Sequence, residues 1–266
     1  SASTFSASVD GGASFRVGVA RDSPGFQLDS GGNLLPNLTA YWKLEEASGD
    51  RFDATGRGNT LADNNTVTVA AGRVDSAASF AIATSEYLSI GNVADVQINN
   101  SPFTIAAWVF MASTAVSHNS IVTKRGAGLS EYRLIFQSET DQFIFLVGTG
   151  NLGQATSAGP WALNTWYLVL GWWDSAGQLA NLQVNNGNVN SVSFTEPVPA
   201  QNIPMFIGMG TNNLTGITNP WDGRIDEVAF WKRTLTSAER TQLFSDGLDL
   251  HGAGSGRIYR QADTTT

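Results

Sequence analysis

The chain has 266 residues, of which 42% are hydrophobic and only 14% are charged, and its formal net charge is -8. This acidic balance opposes binding to nucleic acid or to anionic membranes, because both present negative phosphates. The chain has no cysteine, which excludes disulfides and thiolate metal sites, and no apolar run approaches the ~20 residues needed for helical membrane insertion.

The sequence divides into three parts. Residues 1–37 form a leading arm rich in glycine and serine, residues 38–250 form one domain, and residues 251–266 form a tail. The chain begins at a small residue without an initiator Met, which fits a cleaved leader or the trimming of a cytoplasmically made virion component. Because such termini fray unless something holds them, we expect a homo-oligomer or assembly within a virion or surface array.

The middle part is dominated by predicted strands. Residues 38–45 alternate apolar and polar side chains, the period of a half-buried strand, and residues 103–111 are apolar on both faces, as expected of a central strand. An Asn186-Gly187 pair predicts a hairpin, because both residues tolerate positive φ. The remaining predicted strands are residues 131–137, 142–148, 166–173, 178–184, 203–209 and 223–233.

One short helix is predicted near the end of the domain. Thr236 and Glu239 have the spacing of a capping box, with Thr236 as N-cap and Glu239 at N3. Leu243 and Phe244 would face the sheet, and Gly247 would end the helix. Many short strands with frequent turns and one late helix are typical of a sandwich or a barrel.

Three stretches of sequence carry a family resemblance. They are residues 41–59, which begin YWKLEE and end in a polar loop, residues 103–109 (FTIAAWV), and residues 222–239 (DGRIDEVAFWKRTLTSAE). Taken in this order, they resemble the laminin G-like, concanavalin A-like lectin/glucanase superfamily. The arm and the tail match nothing in the family pattern.

The resemblance implies an all-β fold, an antiparallel two-sheet β-sandwich of the jelly-roll type with one short C-terminal helix. It does not decide the function, because the superfamily includes glucanases, lectins, adhesion modules and virion appendages.

The sequence offers no convincing catalytic site. Retaining glucanases of this superfamily place carboxylates at alternate positions of one strand, so that a nucleophile and an acid lie about 5 Å apart. The nearest match, residues 139–141, lacks the third carboxylate and is predicted to be a turn. The acidic pairs at 226–227 and 45–46 would point to opposite faces of a strand. His118 lies in a predicted turn and His251 in the tail, so we predict that the protein is not an enzyme.

A structural calcium ion is implied by the resemblance. In the family, the loop that here contains Asp53 and Asn59 lies near the aspartate of the later strand, here Asp226, and these groups often hold Ca²⁺. Carboxylate and carbonyl oxygens suit this hard cation. Two other readings stay open, because Arg57 could supply the positive charge and Asp53 could accept bonds from turn amides.

Three tryptophans are candidate ligand-binding residues, because sugar-binding sandwiches stack sugar rings on exposed aromatic faces. Trp161 and Trp221 each follow a proline in a predicted loop, where an exposed aromatic residue is suggestive of binding. Trp173 adjoins Trp172 in a strand, so one of the two must face away from the core or into a second layer.

The favoured function is that of a non-catalytic surface module. It would be a structural or adhesive protein of a virion, of the phage decoration or fibre type, or of a cell surface, with a capacity to bind glycans. The alternative is a secreted, lectin-like carbohydrate-binding module, and a glycoside hydrolase is the least favoured reading. The favoured reading and its lectin-like alternative place the protein in an extracellular location or on a virion surface.

Overall fold

The computed structural model describes residues 5–8, 14–17, 34–126, 128–210 and 218–246. Its one α-helix, α1, spans Ser237–Asp246. The strands are β1 (Phe5–Ser8), β2 (Ser14–Val17), β3 (Leu38–Trp42), β4 (Ala62–Asn64), β5 (Thr68–Ala71), β6 (Ser76–Phe80), β7 (Tyr87–Ile90), β8 (Phe103–Met111), β9 (His118–Gly126), β10 (Leu129–Gln137), β11 (Gln142–Val147), β12 (Gly153–Ala158), β13 (Trp166–Asp174), β14 (Leu179–Val184), β15 (Asn190–Ser193), β16 (Met205–Ile207) and β17 (Gly223–Trp231).

Two antiparallel sheets form a sandwich. The seven-stranded sheet has the order β12-β11-β10-β9-β16-β7-β4, and the eight-stranded sheet has the order β15-β14-β13-β8-β17-β6-β5, with β3 paired to β17. The hairpin β1–β2 forms a two-stranded sheet of its own. The predicted fold class, an antiparallel two-sheet sandwich with one short helix, is confirmed.

The main core fills the space between the sheets. Alternation along each strand turns every second side chain inward, for example Leu134 and Phe136 of β10 and Val169 of β13. The ring of Phe103 stacks on that of Phe230 with centroids 5.5 Å apart. Burial of this large apolar surface is the main force that holds the two sheets together.

A second apolar cluster lies on the outer face of the eight-stranded sheet, under α1. Leu243 is fully buried there and Phe244 stacks on Trp108 with centroids 6.0 Å apart, as the sequence predicts. The capping box is also confirmed, because the Thr236 amide donates to Glu239 Oε2 at 2.8 Å and the Glu239 amide to Thr236 Oγ1 at 3.3 Å. The predicted stop at residue 247 and the tail at 251–266 lie outside the described residues.

The end of the predicted leading arm touches the sandwich. The indole N–H of Trp231 donates to the Leu34 carbonyl at 2.6 Å, and the Arg233 guanidinium donates to the Pro36 carbonyl at 2.8 Å. Leu34 is buried in the cluster beneath α1. Residues 34–37 therefore pack with the domain, whereas most of the arm lies outside the described residues.

Several strands were not predicted, among them β4 to β7 and β12. Another of them, β9, corrects the placement of His118. This residue begins β9 instead of lying in a turn. The polar run Thr123-Lys124-Arg125 hides the strand from the sequence pattern, although Lys124 is fully buried and pairs with Glu131 at 3.3 Å.

The predicted hairpin between β14 and β15 is confirmed, but its turn differs in detail. The residue with positive φ is Asn185, at 53°, and not the Asn-Gly pair that follows it. The Gly187 amide donates to the Val184 carbonyl at 3.1 Å and closes the turn.

Candidate ligand-binding site

A pocket of about 310 Å³ lies beside the loop that follows β3. Its lining residues are Lys43, Glu45, Glu46, Phe52 and Ala54. The pocket thus combines one aromatic ring with a cationic and two acidic side chains, so it offers a ligand both a ring face and polar groups.

A buried arginine fixes the wall of this pocket. The Arg51 side chain is fully buried, and its guanidinium donates to the carbonyls of Gly49 and Val67, the latter at 2.8 Å. The next amide, that of Phe52, donates to Glu46 Oε1 at 2.8 Å. The loop is therefore held by internal hydrogen bonds and presents its outward side chains from a preformed backbone.

Phe52 is the outward side chain of this loop. Extended backbone places successive side chains on opposite sides, and Arg51 is buried while Asp53 bonds to backbone amides. The ring between them is 65% exposed. Of the large apolar residues that the structure describes, Phe52 is the only aromatic one that is exposed, so the face of its ring is accessible to a ligand ring.

The two carboxylates of the pocket keep unused acceptor capacity. Glu45 Oε1 and Glu46 Oε2 are buried oxygens without a hydrogen-bond partner among the described residues. Glu46 Oε2 lies 3.9 Å from Arg51 Nε, which is beyond hydrogen-bond distance. Both oxygens are shielded from solvent, so a ligand in the pocket meets the half-exposed remainder of the Glu45 and Glu46 side chains.

Near Glu45, a bulge in β17 brings two further acidic residues together. The pairing of β17 with β8 shifts between Asp226 and Ala229, and Glu227 has a φ of 52°. Ile225 and Val228 both face the core, so Asp226 and Glu227 both lie on the outer face of the sheet. The prediction that this pair points to opposite faces is therefore wrong, because a bulge interrupts the alternation.

The pKa values of Asp226 and Glu227 are both strongly raised. Burial raises the pKa of Asp226 to about 7, although backbone amides of Arg73 and Val74 donate to its carboxylate. The pKa of Glu227 is raised to about 9, mainly by burial. The Tyr41 hydroxyl, which donates to Glu227 at 2.5 Å, lowers this pKa, and the neighbouring Asp226 raises it. The same burial and the Glu227 charge raise the pKa of Tyr41.

These groups form a structural network and not a substrate site. Asp226 and Glu227 are both 0% exposed, so no substrate reaches them. The other acidic candidate, at residues 139–141, is the turn before β11, as predicted.

Two of the three predicted calcium ligands are neighbours. Asn59 Nδ2 lies 3.0 Å from Asp53 Oδ2, whereas the carboxylate of Asp226 accepts from the amides of Arg73 and Val74. The acidic group beside Asn59 is instead Asp95, 3.0 Å from the same nitrogen, and Asp95 lies 3.7 Å from the Arg57 guanidinium. In the part of the chain that the structure describes, no three acidic or histidine side chains are grouped to hold a metal.

Asp53 is satisfied by the protein itself. Its Oδ1 accepts from the amides of Tyr41 and Thr55 at 3.2 and 2.9 Å and from the Thr55 hydroxyl at 2.7 Å. Its Oδ2 accepts from the amide and the side chain of Asn59. This geometry matches the alternative of a carboxylate that organises turn amides.

The predicted binding tryptophans are placed differently from one another. Trp221 is 1% exposed and Trp173 is 4% exposed, and both belong to the main core, so neither can stack on a sugar. Trp161 is half-buried and packs edge-on against Phe143 and Tyr167. Trp221 and Trp173 are buried because a large indole stabilises the fold more when it packs in the core than when it is exposed.

Phe52 was missed by the sequence reasoning. A signal was present, since an aromatic residue between the charged residues Arg51 and Asp53 in a loop has little reason to be buried. A preceding proline in a loop singled out Trp161 and Trp221 in the sequence, whereas the exposed ring is the one whose two neighbours turn inward.

Solved structures with the same fold include binding domains and one domain of an arabinanase. The binding domain of Paraclostridial Mosquitocidal Protein 1 is 15% identical, with a TM-score of 0.65 over 79% of this chain and 52% of that one. The binding domain of botulinum neurotoxin DC in complex with SialylT is 9% identical, with a TM-score of 0.61 over 79% and 51%. Domain 4 of AbnA, an extracellular arabinanase from Geobacillus stearothermophilus, in complex with arabinotriose, is 17% identical, with a TM-score of 0.52 over 78% and 98%.

The chain spans about half the length of the two toxin binding domains. At these identities, the likeness shows a shared fold alone. No curated protein sequence matches the chain, and no helix within the described ranges is long and apolar enough to cross a membrane.

The sequence pattern of one family covers residues 83–239, more than half of the 266 residues. This stretch includes β8 and β17 and ends at the capping box of α1, which are two of the three segments that carried the resemblance. The chain therefore belongs to the concanavalin A-like lectin/glucanase superfamily.

Proposed function

We propose that this domain is a non-catalytic carbohydrate-binding module that holds a saccharide in the pocket beside Phe52. The exposed Phe52 ring carries the proposal, because it offers a flat apolar face to a sugar ring. Glu45, Glu46 and Lys43 line the same pocket and supply polar partners for hydroxyl groups. The role outside the cell that the sequence favours is compatible with such a module.

Two observations support a binding role over a catalytic one. The paired carboxyl groups of Asp226 and Glu227 are sealed from solvent, so they cannot flank a glycosidic bond. Solved proteins of the same fold include toxin binding domains and an arabinanase domain in complex with arabinotriose.

The test is a glycan array followed by titration of the best ligand against Phe52→Ala. We expect a loss of affinity between about fivefold and about 150-fold, since aromatic stacking contributes roughly 1–3 kcal/mol where it has been measured for nucleic-acid bases. Leu163→Ala is the matched control, because Leu163 is 41% exposed and lies in another loop. Equal binding by wild type and Phe52→Ala would reject this site.

A second candidate function is assembly into a virion or surface array. The hairpin β1–β2 forms a separate two-stranded sheet, and an isolated hairpin of this size is only marginally stable in water. Pairing with a neighbouring subunit would stabilise it. Light scattering of the full chain and of a variant lacking residues 1–33 tests this role, and a full chain that stays monomeric at high concentration would count against it.

A further inference from the structure

Two arginines stand side by side on the outer face of the seven-stranded sheet. On β10, Leu134 faces the core, so Arg133 before it faces outward. Arg133 lies opposite Thr123 of β9, and Arg125 follows two positions later on the same face of that strand. The two positive charges are close enough for Arg125 to lower the pKa of Arg133.

Neither of these guanidinium groups has a partner within the described residues. Arg133 Nε is a buried donor without a hydrogen bond, and no ion pair joins either arginine to a carboxylate. The six other arginines with described side chains all contact a carboxylate, a carbonyl, an amide oxygen or an aromatic ring. They are Arg51, Arg57, Arg73, Arg224, Arg233 and Arg240.

Leaving two like charges partly desolvated and without a carboxylate partner is costly, because each loses hydration and each repels the other. Burial lowers the pKa of Arg133 to about 10 and also lowers that of Arg125. Both groups nevertheless stay charged at neutral pH, because even the value for Arg133 lies well above it. An anion bound between them would remove the repulsion.

The surface around the arginines is apolar. Leu146 lies opposite Arg133 on β11, and Ile144 lies opposite Ile135, and these three aliphatic side chains form a small buried cluster on the outer face. On the other side, Phe206 of β16 lies opposite Thr123. These apolar neighbours are themselves almost fully buried, so they offer the arginines no polar partner.

We infer that Arg125 and Arg133 form a second binding site, which takes the carboxylate or sulfate group of an acidic saccharide. A guanidinium binds such planar or tetrahedral oxyanions through paired N–H donors. That the ligand is a saccharide rests on the proposed function, whereas the requirement for an anionic group rests on the two arginines.

The inference is tested by titrating the protein with sialyllactose, with sulfated lactose and with uncharged lactose at constant ionic strength. We expect one or both charged ligands to bind at least about tenfold more tightly than lactose, since hydrogen bonds to charged groups are among the strongest. The two charged ligands distinguish a carboxylate from a sulfate requirement. Equal affinity for all three would overturn the inference.

Arg125→Gln and Arg133→Gln should each remove most of this preference. Arg57→Gln is the matched control, because it makes the same change in net charge on a different surface. Phe52→Ala should keep the preference for charged ligands even where it weakens binding overall, which separates failure of this site from failure of the pocket.

Inorganic sulfate gives a readout that does not depend on a saccharide. It should raise the Tm of the wild type more than that of the Arg125→Gln/Arg133→Gln double variant. Without sulfate, the double variant should be at least as stable as the wild type, because it loses an unpaired pair of like charges. A lower Tm, or an equal response to sulfate, would show that the arginines serve the fold instead.

Discussion

Replacement of Glu227 by glutamine tests the buried acidic network. In the folded protein, burial holds the pKa of Glu227 at about 9, against an ordinary value of 4.5. Between these values, the unfolded chain releases the proton and the folded chain retains it. Folding stability contributed by this group is therefore complete below pH 4.5 and is lost as the pH rises toward 9.

The size of the effect follows from proton linkage. One proton retained only by the folded state costs about 1.4 kcal/mol per pH unit. Between pH 5 and pH 7, the wild type should thus lose about 3 kcal/mol through Glu227, and Asp226, with its pKa raised to about 7, acts in the same direction. Glutamine imitates the protonated acid and cannot ionise, so Glu227→Gln should lack the first contribution.

Urea unfolding followed by tryptophan fluorescence at pH 5, 6 and 7 measures this difference. Wild type and Glu227→Gln should have similar stability near pH 5, and the variant should be more stable by about 3 kcal/mol at pH 7. Glu139→Gln, in the exposed turn before β11, is the control and should follow the wild type. Parallel curves for Glu227→Gln and the wild type would refute the reasoning.

Three further predictions concern the helix cap and the Asp53 loop. Thr236→Ala should cost about 1 kcal/mol in urea unfolding, because the Glu239 amide loses its cap, whereas Ser237→Ala at the exposed neighbouring position should change little. Burial raises the pKa of Glu239, but Arg233 and Thr236 together lower it by more, so the stability from this contact is present above pH 4.5 and should decline below it. Because protein donors satisfy Asp53, we expect neither calcium nor a chelator to shift the Tm, and a clear rise with calcium would support the calcium site instead.

Much of the fold was predictable because local sequence patterns determine its strands and its helix cap. The strand at 103–111 and the cap at Thr236 depend on alternation and on residues three apart, and both were found where predicted. The strand β9 was missed because Lys124 is polar in sequence but buried in the fold, where Glu131 from the next strand neutralises it. Such a pairing becomes visible only when both strands are placed side by side.

The candidate sites were decided by contacts between distant segments. Nothing in the local sequence distinguishes Trp173 and Trp221 from exposed tryptophans, yet both are buried in the main core. Phe52 is exposed because its two neighbours turn inward to bond with other segments. By itself, the sequence determined many short strands and a capped late helix, because hydrogen bonding and side-chain alternation are local, and its resemblance to a known family selected the sandwich. Only the tertiary structure decided which aromatic rings are exposed and which charges lack partners, because burial and register depend on strands far apart in the chain.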